Sequence, residues 1–165
     1  MTITLKHNRH WARVGFLKRL LPVFGNMDVT FMFYSNCWYK KEAVVNAGYK
    51  TLFGRTYGLL PHRNSIKVVW MPDYENIGRF SLLISVKRKG KVITEFSINV
   101  NRAVFYRLKI THKGGIKVVT IGEANYEFAR HTVGIKENGL GWRFWPNFDG
   151  KDHAYKTMNF ELDEK

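Results

Sequence analysis

The stretch Asn125-Tyr126-Glu127-Phe128-Ala129-Arg130-His131 gathers a phenol, a carboxylate, a guanidinium and an imidazole. Tyr, His and Arg in a basic groove are the groups with which polysaccharide lyases act on uronic acids. Strand alternation works against the set, because it sends Tyr126 and Arg130 to one face and Glu127 and His131 to the other. Glu123 and Glu127 stand four apart across a turn and a strand, which does not suit the paired carboxylates of a glycoside hydrolase. HExxH, GxSxG, the Walker glycine loop and GxGxxG do not occur. The expectation is a protein that is not an enzyme.

Metal chemistry has little to build on. Histidines fall at 7, 10, 62, 112, 131 and 153. His7 and His10 have i,i+3 spacing and Asp152 adjoins His153, but neither pair has a third ligand beside it. Asp149 and Asp152 in FDGKDH form the one loop with oxygens enough to suggest calcium, and it reads as a solvated turn. No metal and no cofactor are expected. Cys37, the single cysteine, lies between Asn36 and Trp38 and reads as a small packing residue rather than a nucleophile.

The segment GWRFWPNFDGKDHAYKTMNF, 141–160, concentrates aromatics around Pro146. In strand numbering Trp142 and Phe144 share a face while Arg143 and Trp145 share the other, so at least one tryptophan belongs to the core. The expectation is that 144–148 tuck into the end of a core and that 149–153 form a surface turn. Read as a ligand loop, the same segment offers Trp142 and Trp145, with Trp38 elsewhere, for stacking on sugars, and Asp149, Asp152 and His153 as polar contacts.

The elements that would carry these residues are strands. Period-two alternation runs through DVTFMFYS, SIKVVWM, RFSLLISV, KVITEFSINV, VFYRLKI, IKVVTI, NYEFARHT and KTMNFEL. Turns are expected at Gly90, Gly114-Gly115, Asn138-Gly139 and PDYENIG, with Pro72 closing the strand before it. Eight or more short strands at this spacing predict an all-β fold, an antiparallel β-sandwich or jelly roll, and no βαβ alternation is present. Residues 26–165 read as one sandwich domain. Residues 1–25 read as a basic N-terminal arm or short helix, with Trp11, Val14, Leu17, Leu20 and Leu21 at helical spacing.

Composition bounds the partners. The 165 residues hold 27 Lys+Arg against 13 Asp+Glu, a net charge of +14, which favours acidic partners: nucleic acid, an acidic polysaccharide or an acidic protein face. Tyr39-Lys40-Lys41, Tyr106-Arg107 and Trp142-Arg143 interleave aromatics with cations in the manner of single-strand binders, without an RNA-recognition consensus. Lys87, Arg88, Lys89 and Lys91 crowd one hairpin tip, where such charge guards a sheet edge. No apolar run reaches the ~18 residues of a membrane-spanning helix, so no membrane partner is expected. Without a cleavable leader, synthesis in a reducing cytoplasm is expected.

Two segments carry a resemblance. LFGRTYGLLPHRNSIKVVWMPDYENIGRFSLLISV has Phe-Gly and Tyr-Gly steps, then Asn-Ser before a strand ending Trp-Met-Pro; LGWRFWPNFDGKDHAYKTMNFEL has a Trp-Pro-x-Phe-x-Gly core before the last strand. Over about 47–162 the chain resembles small lectin-like or jelly-roll β-sandwich proteins of gut Bacteroidetes and their crAss-like tailed phages. It departs from that pattern at Asn147-Phe148-Asp149-Gly150 and Ala154-Tyr155-Lys156, where Tyr-Phe-Gly-Gly and Ala-Pro-His would stand. The resemblance implies a virion structural protein, an auxiliary or decorating capsid subunit within a larger assembly, made in the bacterial host cytoplasm and bound to other virion proteins. Its partner contacts would be Trp11, Phe16 and Leu20, with Arg13, Lys18 and Arg19 adding charge. The alternatives are a carbohydrate-binding lectin-like module and, third, a nucleic-acid-binding protein.

Overall fold

Among the described residues of the computed structural model, eleven strands account for the regular structure. The structure describes residues 1–7, 22, 25–43, 48–58, 63–113, 116–123, 126–133, 135, 140–147, 154 and 156–164. The strands are β1 (Thr2–Leu5), β2 (Met27–Phe33), β3 (Lys50–Thr56), β4 (Ser65–Pro72), β5 (Arg79–Arg88), β6 (Lys91–Asn101), β7 (Tyr106–Lys113), β8 (Ile116–Glu123), β9 (Tyr126–Val133), β10 (Arg143–Phe144) and β11 (Met158–Glu164). Two 3-10 turns, Ser35–Cys37 and Lys41–Ala43, follow β2. The helix expected over Trp11 to Leu21 lies outside the described residues, as do the reversals at Gly114-Gly115 and Asn138-Gly139. The opening residues of the expected arm form β1.

The strands make two antiparallel sheets, ordered β1-β11-β2-β7-β8-β9 and β10-β3-β4-β5-β6. This is the all-β sandwich of jelly-roll type that the alternation predicts. Inward positions supply the core. Val29, Phe31 and Phe33 of β2, Leu108 and Ile110 of β7, and Phe160 and Leu162 of β11 face Ile66, Val68 and Trp70 of β4 and Leu82, Ile84 and Val86 of β5. At its centre Phe33 stacks on Phe80 with centroids 4.3 Å apart, and Trp70 meets Phe160 edge-on at 5.5 Å. Such pairs contribute about 0.5–1.5 kcal/mol beyond the area they bury.

The β5–β6 hairpin turns at Lys89 and Gly90, whose φ values are 50° and 83°. Positive φ at both central residues is the turn whose twist matches paired strands, which is why glycine stands there. Cys37 is buried, its thiol donates to the Asn159 carbonyl at 2.8 Å, and burial pushes its pKa up to about 12. It is a packing residue.

Candidate functional site

The β10 segment lies close on β3, and β3 close on β4, because a glycine stands at each contact. A side chain at Gly141 would collide with the Thr56 carbonyl, and one at Gly54 with the Ile66 carbonyl. With both absent, Thr56 N–H donates to the Trp142 carbonyl at 2.8 Å, Trp142 N–H donates to Thr56 Oγ1 at 2.8 Å, and Asn147 N–H donates to the Thr51 carbonyl at 3.0 Å. The Phe144 ring then settles over Gly54, 3.2 Å from where a β-carbon would be. Lys67 Nζ lies 5.1 Å from the centroid of that ring.

Strand register extends this contact into a row across the outer face of the five-stranded sheet. Phe144 is opposite Gly54, Gly54 opposite Lys67, Lys67 opposite Ser85, and Ser85 opposite Glu95. The Ser85 hydroxyl donates to Glu95 Oε1 at 3.0 Å. With interstrand spacings of ~4.8 Å the row is about 19 Å long. Neighbouring rows add small polar groups: Ser97, Ser81 and Asn99, with the Tyr49 hydroxyl 3.3 Å from Ser81 Oγ. The row thus offers a flat apolar ring, an ammonium, hydroxyls and a carboxylate, all on rigid strands.

The two outer faces differ in charge. On the five-stranded sheet the outward strand positions carry Lys67, Arg79 and Lys87 against Glu95. On the six-stranded sheet Arg107, Lys109, Lys113 and Arg130 are matched by Asp28, Glu127, Glu161 and Asp163. There Arg107 grips Asp28 through two bonds of 2.7 and 2.6 Å, and Arg130 grips Glu127 through bonds of 2.7 and 3.2 Å. The Arg130 guanidinium holds the Glu127 carboxyl below the usual range. Among the described strand positions, excess positive charge therefore sits on the Lys67 face.

The residues singled out in the sequence scatter. Trp142 lies half-buried beside the row, whereas Trp145 turns to the other side of β10 and packs against the core. Trp38 also packs against the core and donates its indole N–H to the Asp73 carbonyl at 3.3 Å. Asp149, Asp152 and His153 lie outside the described residues, and so do Trp11, Arg13, Phe16, Lys18, Arg19 and Leu20. Among the described residues no group of three His, Cys, Asp or Glu could hold a metal ion.

The face assignment in β9 needs correction. The β8–β9 register shifts between Ile121 and Gly122, so Ala129 pairs with Ile121 but Glu127 with Gly122, leaving Phe128 as the extra residue of a bulge. The extra residue flips the parity, and Glu127 joins Arg130 on the outer face. His131 points inward and stacks on Phe96, centroids 3.6 Å apart. Lys67, Ser85 and Glu95 were missed. A lysine between Ile66 and Val68 in an otherwise apolar strand was the available signal.

No protein-family model matches the chain, and no curated protein matches it by sequence. Solved structures do. The alginate lyase from Klebsiella pneumoniae superposes with a TM-score of 0.59 at 10% identity, over 87% of this chain and 60% of the lyase. A native glycosidic hydrolase gives 0.55 at 12% identity, over 99% of this chain and 75% of the other. A functionally unknown protein from Saccharomyces cerevisiae gives 0.50 at 7% identity, over 99% and 87%. The chain thus spans about 60% of the lyase's length. At these identities the likeness is one of fold, a jelly-roll sandwich. It corrects the expectation that the chain is not an enzyme, because a lyase and a hydrolase are built on the same framework. Nothing in these neighbours bears on the virion reading.

Proposed function

We propose that this chain is a carbohydrate-recognition protein that lays an acidic saccharide across the outer face of its five-stranded sheet. The observation that carries the reading is the row Phe144–Gly54–Lys67–Ser85–Glu95. Phe144 offers a flat apolar surface to the C–H face of a sugar ring. Lys67, beside it, offers an ammonium to a ring carboxylate, a charge-assisted contact of about 1.5–3 kcal/mol. Ser85 and Glu95 take hydroxyl groups further along. The chain's net charge of +14 draws a polyanion to the surface, and the surplus of Lys67, Arg79 and Lys87 over Glu95 at this face's strand positions gives the approach a direction. The fold shared with a glycosidic hydrolase and an alginate lyase supports the substrate class, alginate being an acidic polysaccharide.

The test is affinity electrophoresis through gels containing alginate, pectate or a neutral glucan, at two salt concentrations. Retardation by the acidic polymers, reduced by salt and by Lys67→Met, supports the reading. Equal retardation by the neutral polymer, or none by any at low salt, overturns it. Ultraviolet absorbance of an unsaturated uronate in the same mixtures measures whether the bound chain is also cleaved.

A further inference from the structure

We propose that a cavity between the two sheets, beneath β10, binds a small amphipathic carboxylate. The cavity measures about 280 Å³. Its apolar wall is made by Met27 and Val29 of β2, Phe53 of β3 and Leu162 of β11. These four core side chains keep 4–5% exposure, while Phe31, Ile66 and Val68 beside them keep 0–1%. The core opens to the outside here. An engineered apolar cavity of ~150 Å³ accommodates benzene, so this one has room for about ten non-hydrogen atoms.

The polar end of the occupant follows from β10. Alternation turns Arg143 and Trp145 to the cavity side of the strand, and both line it. The Trp145 indole N–H is buried and has no acceptor among the described residues. A buried donor left unpaired is costly, and an oxygen of the occupant would relieve it. Arg143 supplies a guanidinium at the same wall, which makes a carboxylate the fitting head group. Asp163 of β11, whose side chain is on the outer face of its sheet, also borders the cavity. The site is distinct from the Lys67 row, touching it through Gly54 and Phe144 at one wall.

Octanoate, cinnamate and 1-octanol are the probes, the first two separating an aliphatic from an aromatic body and the third removing the charge. Each is titrated into the full chain, following Trp fluorescence and melting temperature. The expected result is saturable binding of at least one acid, at least tenfold tighter than 1-octanol. Arg143→Gln abolishes that preference while leaving 1-octanol within threefold. Melting curves of the variants without ligand confirm that they fold. No saturable response to either acid overturns the proposal, and so does acid binding that Arg143→Gln leaves unchanged in a folded protein.

Discussion

Replacing Tyr57 by Phe should stabilise the protein. Tyr57 is 1% exposed, and its ring lies between two buried cations, with Arg55 Cζ 4.6 Å and Lys117 Nζ 4.3 Å from the ring centroid. Its hydroxyl is buried with no hydrogen-bond partner among the described residues. Folding therefore strips that hydroxyl of water without replacing it, at a cost of about 1–3 kcal/mol. Phenylalanine keeps the ring and both cation–π contacts and removes the stranded group. A gain of about 1–2 kcal/mol would raise the melting temperature of a chain this long by roughly 2–8 °C. Burial also raises the Tyr57 pKa. The unfolded phenol ionises near pH 10 while the folded one keeps its proton, so this tyrosine's stability contribution is lost as pH rises through and beyond that value. The advantage of Tyr57→Phe should accordingly widen above pH 10. Calorimetry and urea titration at pH 7 and pH 10.5 measure both effects. A Tyr57→Phe protein that melts below the wild type at pH 7 would refute the reasoning, since it would show that the hydroxyl is bonded in solution.

Other perturbations follow from the same physics. The Cys37 thiol, with a pKa of about 12, should resist a disulfide reagent in the native protein at pH 8 and react at once in denaturant. Its raised pKa also means stability is lost as pH climbs above ~9, where the unfolded thiol ionises first, and Cys37→Ala should flatten that limb of the pH–stability curve. Glu127, held low by Arg130, works in the opposite direction: its contribution is present above the unfolded value of ~4.3 and lost as pH falls through the folded one. Acid titration of Glu127→Gln should show a shallower fall than the wild type. Gly54→Ala forces a methyl against the Ile66 carbonyl at φ 155°, displacing Phe144, and should cost about 1–3 kcal/mol in urea titration.

What the sequence revealed depended on how strictly a segment kept period two. β5 alternates cleanly and Gly90 marks its turn into β6, so that hairpin was legible apart from the extra residue Ile93, where the register slips. β3 was not. Lys50 and Arg55 occupy inward positions, Gly54 sits mid-strand, and a bulge at Leu52 shifts the phase, so KTLFGRT has no alternation to find. Its charges are tolerated inside because Arg55 donates to the Gly25 carbonyl at 2.6 Å and lies against Tyr57. β10 is hidden for another reason: its two residues owe their strand conformation to Gly54 and Gly141, far apart in sequence. In β9 the alternation was read correctly but the bulge at Phe128 was invisible, and one extra residue moved Glu127 across the sheet. The Lys67 row needed the register of five strands at once, which no local pattern encodes.

Saccharide recognition on this face turns on Lys67. Titrating a defined uronate oligosaccharide into wild-type and Lys67→Met protein by calorimetry tests it most directly, with a neutral oligosaccharide of equal length alongside. The acidic ligand should bind the wild type and Lys67→Met should weaken it about 10- to 100-fold, the equivalent of ~1.5–3 kcal/mol, with no comparable effect on the neutral ligand. Equal affinity of the two proteins for the acidic ligand would contradict it.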